Sequence, residues 1–269
     1  MNHLNRSLAP ISDAGWEEID KEARDQLTPA LAARKLVDFA GPHGWQHSAT
    51  NLGRVGRVAG SPVDGVEVRQ RRVLPLVELR DEFTIARAEL RDADRGAEDA
   101  DLGPLDAAAQ RIARAENTAV LHGFAAAGIG GVAEKSSHPT ITLSDDFDDY
   151  PAHAAKAVEM LLAAGVGGPY SIALGPRCYT GVIESTEHGG ILVFDHLRQI
   201  LGGEIVWAPG VDGAVVISQR GGDFLFESGQ DLSVGYLAHD ADSVHLYLEE
   251  SFSFRVATEE AAVALVHDA

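Results

Sequence analysis

The first regular feature along the chain is an apolar stripe. Trp16, Ile19, Ala23 and Leu27 recur at intervals of three or four residues, the period of one helix face. Ser12 or Asp13 is placed to cap that helix, since a short polar side chain accepts from the free amides of the first turn. Thr28-Pro29 then predicts a restart, with threonine as cap and proline at the first helical position. Leu31, Arg34 and Asp38 follow on roughly one face, and Gly41-Pro42-His43-Gly44 breaks the pattern before Trp45. From Leu52 to Leu79 the period shortens. Val55, Val58, Val63, Val66 and Val68 are interleaved with polar residues, and Asp64-Gly65 signals a hairpin turn. So few apolar residues cannot stabilise a long, thin hairpin alone, so it is expected to lie against something else.

An acidic loop (Glu98, Asp99, Asp101) leads to Pro104 and a long amphipathic helix. Leu105, Ala109, Ile112, Ala119, Val120 and Phe124 hold its apolar side until Gly128. Asp145, Asp146, Asp148 and Asp149 crowd the start of a further helix over 152–164, where they complement the positive end of its dipole. Strands expected over 171–174, 204–207, 214–218 and 224–226 alternate with helices over 176–184 and 194–201, an α+β pattern. The clearest alternation comes last: Val244, Leu246, Leu248, Phe252, Phe254 and Val256, interrupted only by Glu250. That predicts a strand far longer than the usual five or six residues. Repeats, low-complexity tracts and linkers are not evident, so any subdomains are interleaved.

Composition adds one strong constraint. Across 269 residues, 41 acidic side chains face 22 basic ones, a formal net charge of −19. Such a chain repels phosphate backbones, which argues against nucleic-acid binding. It also repels its own copies, so a homo-oligomer must rely on apolar contact and local Arg–carboxylate pairing. The basic run Arg69, Arg71 and Arg72 on the predicted hairpin suits pairing with a neighbour's carboxylates. A single cysteine, Cys178, excludes an intrachain disulfide and fits a cytoplasmic protein. The N-terminus has no apolar core of signal-peptide length, and no segment approaches a membrane span.

Catalytic and metal chemistry finds little support. His43 and His47 are four apart, but Gly44 between them rules out a helix presenting both, so no metal site is expected. The aspartates at 145–149 lack the glycine and terminal glutamate of a calcium loop. Cys178, with His188 or His196, is the only nucleophile arrangement to weigh, and its aliphatic and aromatic neighbours predict a buried, inert thiol. Gly128-Ile129-Gly130-Gly131 follows a helix rather than a strand, which is wrong for a dinucleotide loop. No catalytic residue is assigned. A soluble hydrolase using Cys178 or paired carboxylates stands as a distant alternative.

Several stretches, in order along nearly the whole chain, resemble the encapsulins, or linocin-type bacteriocin proteins. They are Leu4-Asn5-Arg6-Ser7-Leu8-Ala9-Pro10-Ile11 with Trp16-Glu17-Glu18-Ile19-Asp20, and Arg34-Lys35-Leu36-Val37-Asp38 with Gly41-Pro42-His43-Gly44-Trp45. Then come Pro75–Arg80, Phe83-Thr84-Ile85, Asp94-Arg95-Gly96 and Gly168-Pro169-Tyr170-Ser171. Arg220–Phe224, Gly229–Tyr236 and Glu250–Phe254 complete the set. One departure is Ala33, where the family commonly has glycine.

The resemblance implies the fold of tailed-phage major capsid proteins (Hong Kong 97 type), with a peripheral domain, an axial domain and an extended loop. The expected division is 1–48 for the N-terminal helical region, 49–80 for the loop hairpin, and 81–135 for the peripheral domain with its spine helix. The axial domain is expected over 136–226 and the return to the peripheral domain over 227–269. The resemblance further implies a shell subunit that self-assembles into an icosahedral nanocompartment, about 60 copies in its smallest form. Such shells enclose a dye-decolourising peroxidase or a ferritin-like protein captured by its C-terminal targeting peptide. A phage capsid protein enclosing DNA is the runner-up.

Two sites follow from the resemblance. A cargo-peptide groove is expected from Leu27, Leu31, Arg34 and Asp38 with Asp231, Leu232, Gly235 and Tyr236, combining an aliphatic floor, an aromatic edge and one ion pair. A five-fold pore is expected from Glu187, His188, Gly189 and Gly190, a turn whose charge favours small cations. Some members carry a tryptophan linked to flavin where this chain has Ala88, so no flavin is expected.

Overall fold

The alternation near the C-terminus becomes the backbone of the molecule. In the computed structural model, which describes residues 3–186 and 190–267, Ser243–Val256 is one strand of 14 residues. In chain order the helices are α1 (Asp13–Ala30), α2 (Ala33–Leu36), α3 (Arg87–Asp94), α4 (Gly103–Leu121), α5 (Val132–Lys135), α6 (Tyr150–Ala163), α7 (Pro176–Glu184) and α8 (Val193–Leu201). The strands are β1 (Asp38–Ala40), β2 (Ala49–Arg57), β3 (Arg69–Pro75), β4 (Val77–Ala86), β5 (Ile141–Leu143) and β6 (Tyr170–Leu174). They continue with β7 (Gly202–Trp207), β8 (Ala214–Ser218), β9 (Phe224–Ser228), β10 (Ser233–His239), β11 (Ser243–Val256) and β12 (Ala262–His267).

Strand β11 pairs with β4 along one edge, and on the other edge first with β10 and then with β9, which in turn holds β1 in parallel. Helices α1 and α4 cover this sheet. Their apolar stripes, Ile19, Ala23 and Leu27 with Leu105, Ala109 and Ile112, close over Phe83, Ile85, Leu246 and Leu248. The second sheet has the order β5-β12-β8-β6-β7, and α6, α7 and α8 belong to its hydrophobic core. Strand β8 is buried at every position, as expected of an inner strand covered on both faces.

Several expectations are corrected. Helix α1 runs unbroken through Thr28-Pro29. Ser12 caps its start, accepting from the Gly15 amide at 3.0 Å, while Thr28 donates to the Arg24 carbonyl at 2.7 Å instead of capping a new helix. Pro29 sits one residue from the helix end and has no amide to donate, so the last turn of α1 lacks one backbone bond. Phe124 lies beyond α4 and is exposed. Helix α3 was not expected: its segment is highly charged and only Leu90 is buried. Strand β12, from the segment assigned to the peripheral return, pairs with β8 and β5 in the second sheet because Ala262–Leu265 is buried throughout. Conversely, β9 leaves the axial segment to pair with β11.

The hairpin forms, with shorter strands than the alternation predicts: Val58, Val63, Val66 and Val68 lie in the loop between β2 and β3, and residues 77–79 belong to β4. Strands β2 and β3 pair with each other, and among the described residues with no other strand. Asp64-Gly65 occupies the turn, across which the Val66 amide donates to the Val63 carbonyl at 3.3 Å, with Gly65 at φ +81°. Val55, Val63, Val66 and Val73 remain exposed.

Candidate functional site

Between α1 and the segment leading into β10 lies a cleft of about 250 Å³. Ala23, Leu27, Leu31, Leu232, Val234 and Leu248 supply apolar lining, while Asp20, Arg24, Arg34 and Asp231 supply charge. Five of the eight expected groove residues therefore meet here: Leu27, Leu31, Arg34, Asp231 and Leu232. The other three do not line it. Asp38 accepts from the Gly222 amide at 2.7 Å and is not the ion partner of Arg34. Gly235 faces Tyr247 across the sheet, and a Cβ there would stand 2.1 Å from the Tyr247 ring. Tyr236 packs against the core between α1, α4 and their sheet and bonds His239 at 2.5 Å through its hydroxyl, and it does not line the cleft.

The position of Arg34 is set from below. Asn117, fully buried on α4, donates to the carbonyls of Ala30 and Pro209 and accepts from the Ala33 amide, clamping the junction of α1 and α2. From that junction the Arg34 guanidinium reaches Glu116 (2.7 Å), Asp231 (2.6 Å) and Glu250 (2.7 Å). It also lies 5.2 and 5.6 Å from the ring centres of Phe39 and Phe226. Asp231 is half-exposed, whereas Glu116 and Glu250 have side-chain exposures of 0% and 1%. Two such buried carboxylates against one cation leave an excess negative charge that the interior disfavours. Burial pushes the Glu116 carboxyl up against the opposing pull of Arg34, and burial together with Glu116 pushes Glu250 well above the usual range. Their other oxygens, Glu116 Oε1 and Glu250 Oε1, are buried without a hydrogen-bond partner. Glu250, the interruption in the apolar series, is thus the buried floor of the cluster. Glu116 and Glu250 were missed in the sequence because their partner is remote in the chain.

The N-terminal segment lies over the same region. Arg6 donates to the Val234 carbonyl at 2.8 Å, pairs with Asp20 at 2.5 Å and stands 4.4 Å from the Trp16 ring centre.

A second constellation lies apart from the cleft. Without any helix, the turn after Gly41-Pro42 brings the His43 and His47 rings to 4.8 Å between centres, beside Glu227 of β9. Of the expected pore loop, Glu187, His188 and Gly189 lie outside the described residues. Gly190 adopts φ +79°, and a bridge between Thr186 and Leu192 holds the loop's ends together. On the hairpin, Arg69 pairs with Glu67 at 2.9 Å, and Arg71 and Arg72 are exposed. Cys178 is 1% exposed; it receives the Tyr150 hydroxyl at 3.3 Å and lies 3.4 Å from His267 Nε2. Burial pushes its thiol up, the opposite of an activated nucleophile.

Comparison with known proteins agrees along the chain. The family described as "Encapsulating protein for peroxidase" matches residues 1–253. The type 1 encapsulin shell protein of Rhodospirillum rubrum is 51% identical over 98% of this chain and 96% of its own. Among solved structures, a virus-like particle from Pyrococcus furiosus has a TM-score of 0.63 at 18% identity, covering 92% of this chain and 98% of its own. The capsid of a native GTA particle has a TM-score of 0.55 at 15% identity, covering 89% and 90%. At those identities the likeness shows the fold alone, that of tailed-phage major capsid proteins.

Proposed function

The chain belongs to the encapsulin shell-protein family, a structural subunit of a capsid-like homo-oligomer, and from that premise we propose that its copies close into an icosahedral compartment of about 60 subunits around a cargo enzyme. The cargo is a peroxidase or a ferritin-like protein, and its C-terminal peptide lies in the cleft between α1 and β10. The observation that carries this reading is the cleft's make-up. Leu27, Leu31 and Leu232 offer an apolar floor to the side chains of an extended peptide, and Asp20, Arg24 and Arg34 offer polar contacts at its rim. Burying one leucine-sized anchor contributes about 1.5–3 kcal/mol, so two or three give a usable affinity for a tethered peptide.

Small ions enter through the loop at 187–190, and nucleic acid is excluded by the net charge of −19. Ala88 on α3 is exposed and offers no stacking surface for a flavin, so none is held there. The subunit works in the cytoplasm; among the described residues no helix is long and apolar enough to cross a membrane.

The test uses the two half-buried leucines, since replacing Arg34 would strand buried carboxylates. Shells carrying Leu31→Asp or Leu232→Asp are purified from the native host, checked for size by electron microscopy, and assayed for co-purified enzyme by mass spectrometry. Normal particles depleted of cargo are expected. Full loading of intact variant shells, or nucleic acid in place of enzyme, overturns the reading.

A further inference from the structure

We propose that His43, His47 and Glu227 form a binding site for a divalent transition-metal ion, with zinc the best-matched occupant. Their donor atoms all lie within 4.8 Å of one another. The Nε2 atoms of His43 and His47 stand 4.0 and 3.8 Å from Glu227 Oε2. Two ligands about 2.1 Å from a tetrahedral ion stand about 3.4 Å apart, so small side-chain rotations close the site. Two imidazoles and one carboxylate suit zinc and its neighbours rather than calcium or magnesium, which prefer all-oxygen shells, and leave a fourth position for water.

The second observation is the state of His47. Its Nε2 atom is buried and has no hydrogen-bond partner, although it points towards a carboxylate too distant for one. Buried polar atoms in native folds are nearly always satisfied, and a metal ion bridging His47 to Glu227 supplies the missing partner.

The surroundings hold the three ligands in place. The His43 amide donates to the Ser228 carbonyl at 2.9 Å and the Gly44 amide to the Gly229 carbonyl at 2.7 Å, tying the turn to the end of β9. Gly41 permits that approach: at φ +113°, its missing Cβ would stand 2.4 Å from the Ser228 carbonyl oxygen. Thr50 donates to Glu227 Oε2 at 2.9 Å and contacts Ser253 at 2.7 Å, an outer-shell arrangement that orients the carboxylate. The three side chains keep 28–42% exposure, which lets an ion enter from solvent. Because Thr50 belongs to β2, the bound ion also fastens the root of the hairpin to the sheet of β9 and β11.

The experiment needs no cargo and is independent of the cleft. Assembled shells are stripped with a chelator, dialysed, and titrated with Co²⁺ and then Zn²⁺. One Co²⁺ per subunit with the absorption of a four-coordinate site, displaced by Zn²⁺, is expected. His47→Ala and Glu227→Gln should each weaken Zn²⁺ at least about tenfold by calorimetry, while His138→Ala leaves it unchanged. Glu227→Gln preserves shape, so it decides the matter if His47→Ala fails to assemble. Absence of stoichiometric binding to the wild-type shell, or equal affinity in Glu227→Gln, overturns the proposal.

Discussion

Replacing Arg34 with methionine keeps an unbranched apolar stem and removes the cation that faces Glu116, Asp231 and Glu250. Breaking a buried ion pair costs about 3–5 kcal/mol, whereas the contact with half-exposed Asp231 is worth about 1 kcal/mol or less. The loss near neutral and alkaline pH is therefore about 3–5 kcal/mol, or roughly 6–20 °C in the unfolding midpoint for a chain of this size. Both glutamates already have folded pKa values above their ordinary ones, burial being the main cause. A group raised in this way favours the fold while protonated, below its unfolded pKa, and that contribution disappears as pH rises through the folded value. Removing Arg34 raises both carboxyls further. The variant's deficit should then be largest near about pH 8 and shrink as pH falls, by about 1.4 kcal/mol per pH unit for each extra proton bound by the fold. Thermal unfolding of intact shells between about pH 5 and 8 measures this, with Arg34→Met/Glu116→Gln/Glu250→Gln as the partner variant that removes all three charges. Equal deficits at both ends of the range would show that Arg34 acts through packing against Phe39 and Phe226, and would refute the charge argument.

Three further outcomes follow. Excising residues 58–68 of the hairpin should leave the circular dichroism spectrum nearly unchanged but stop sedimentation as closed particles, because Val55, Val63 and Val66 are exposed within the subunit; normal particles would show the hairpin is dispensable. Cys178 should resist a thiol-reactive disulfide at about pH 8 until the protein is unfolded, given its 1% exposure and raised thiol; rapid labelling of native shells would contradict its burial. Asp106 is pushed up to about 6, first by burial and then by its neighbour Glu22. Its favourable contribution is fully present only below the ordinary value of 3.8 and is lost as pH rises through about 6, so Asp106→Asn should raise the unfolding midpoint most near about pH 8, by less near about pH 5, and hardly at all below about pH 4.

What could be read in advance was periodic. Alternation at Val244–Val256 located β11, the three-and-four spacing located α1 and α4, and helix 176–184 and strand 214–218 match their observed bounds. What escaped was not periodic. The charged stretch Arg87–Asp94 buries one leucine, too little to register as a stripe. Glu250 looked like a flaw in an apolar series because its partner, Arg34, is 216 residues away. The cleft was half legible: Leu27, Leu31, Arg34, Asp231 and Leu232 meet, while Gly235 and Tyr236 lie further on, within β10. His43 and His47 were dismissed on helical spacing, yet a turn anchored by Gly41 and two backbone bonds to residues 228 and 229 presents them together. Nothing local in the sequence points to Glu227 as the third member.

The positions of β11 and β12 bear on how the polypeptide is made. Each is an inner member of its sheet, β11 between β4 and the β10–β9 edge, β12 between β5 and β8. Both leave the ribosome after every other described strand. Among the described residues, β4 and β10 pair only with β11 and β5 only with β12, so these strands stay without a sheet partner until the later segments have been made. A chain cut short before Ser243 therefore lacks the strand that joins β4 to β10.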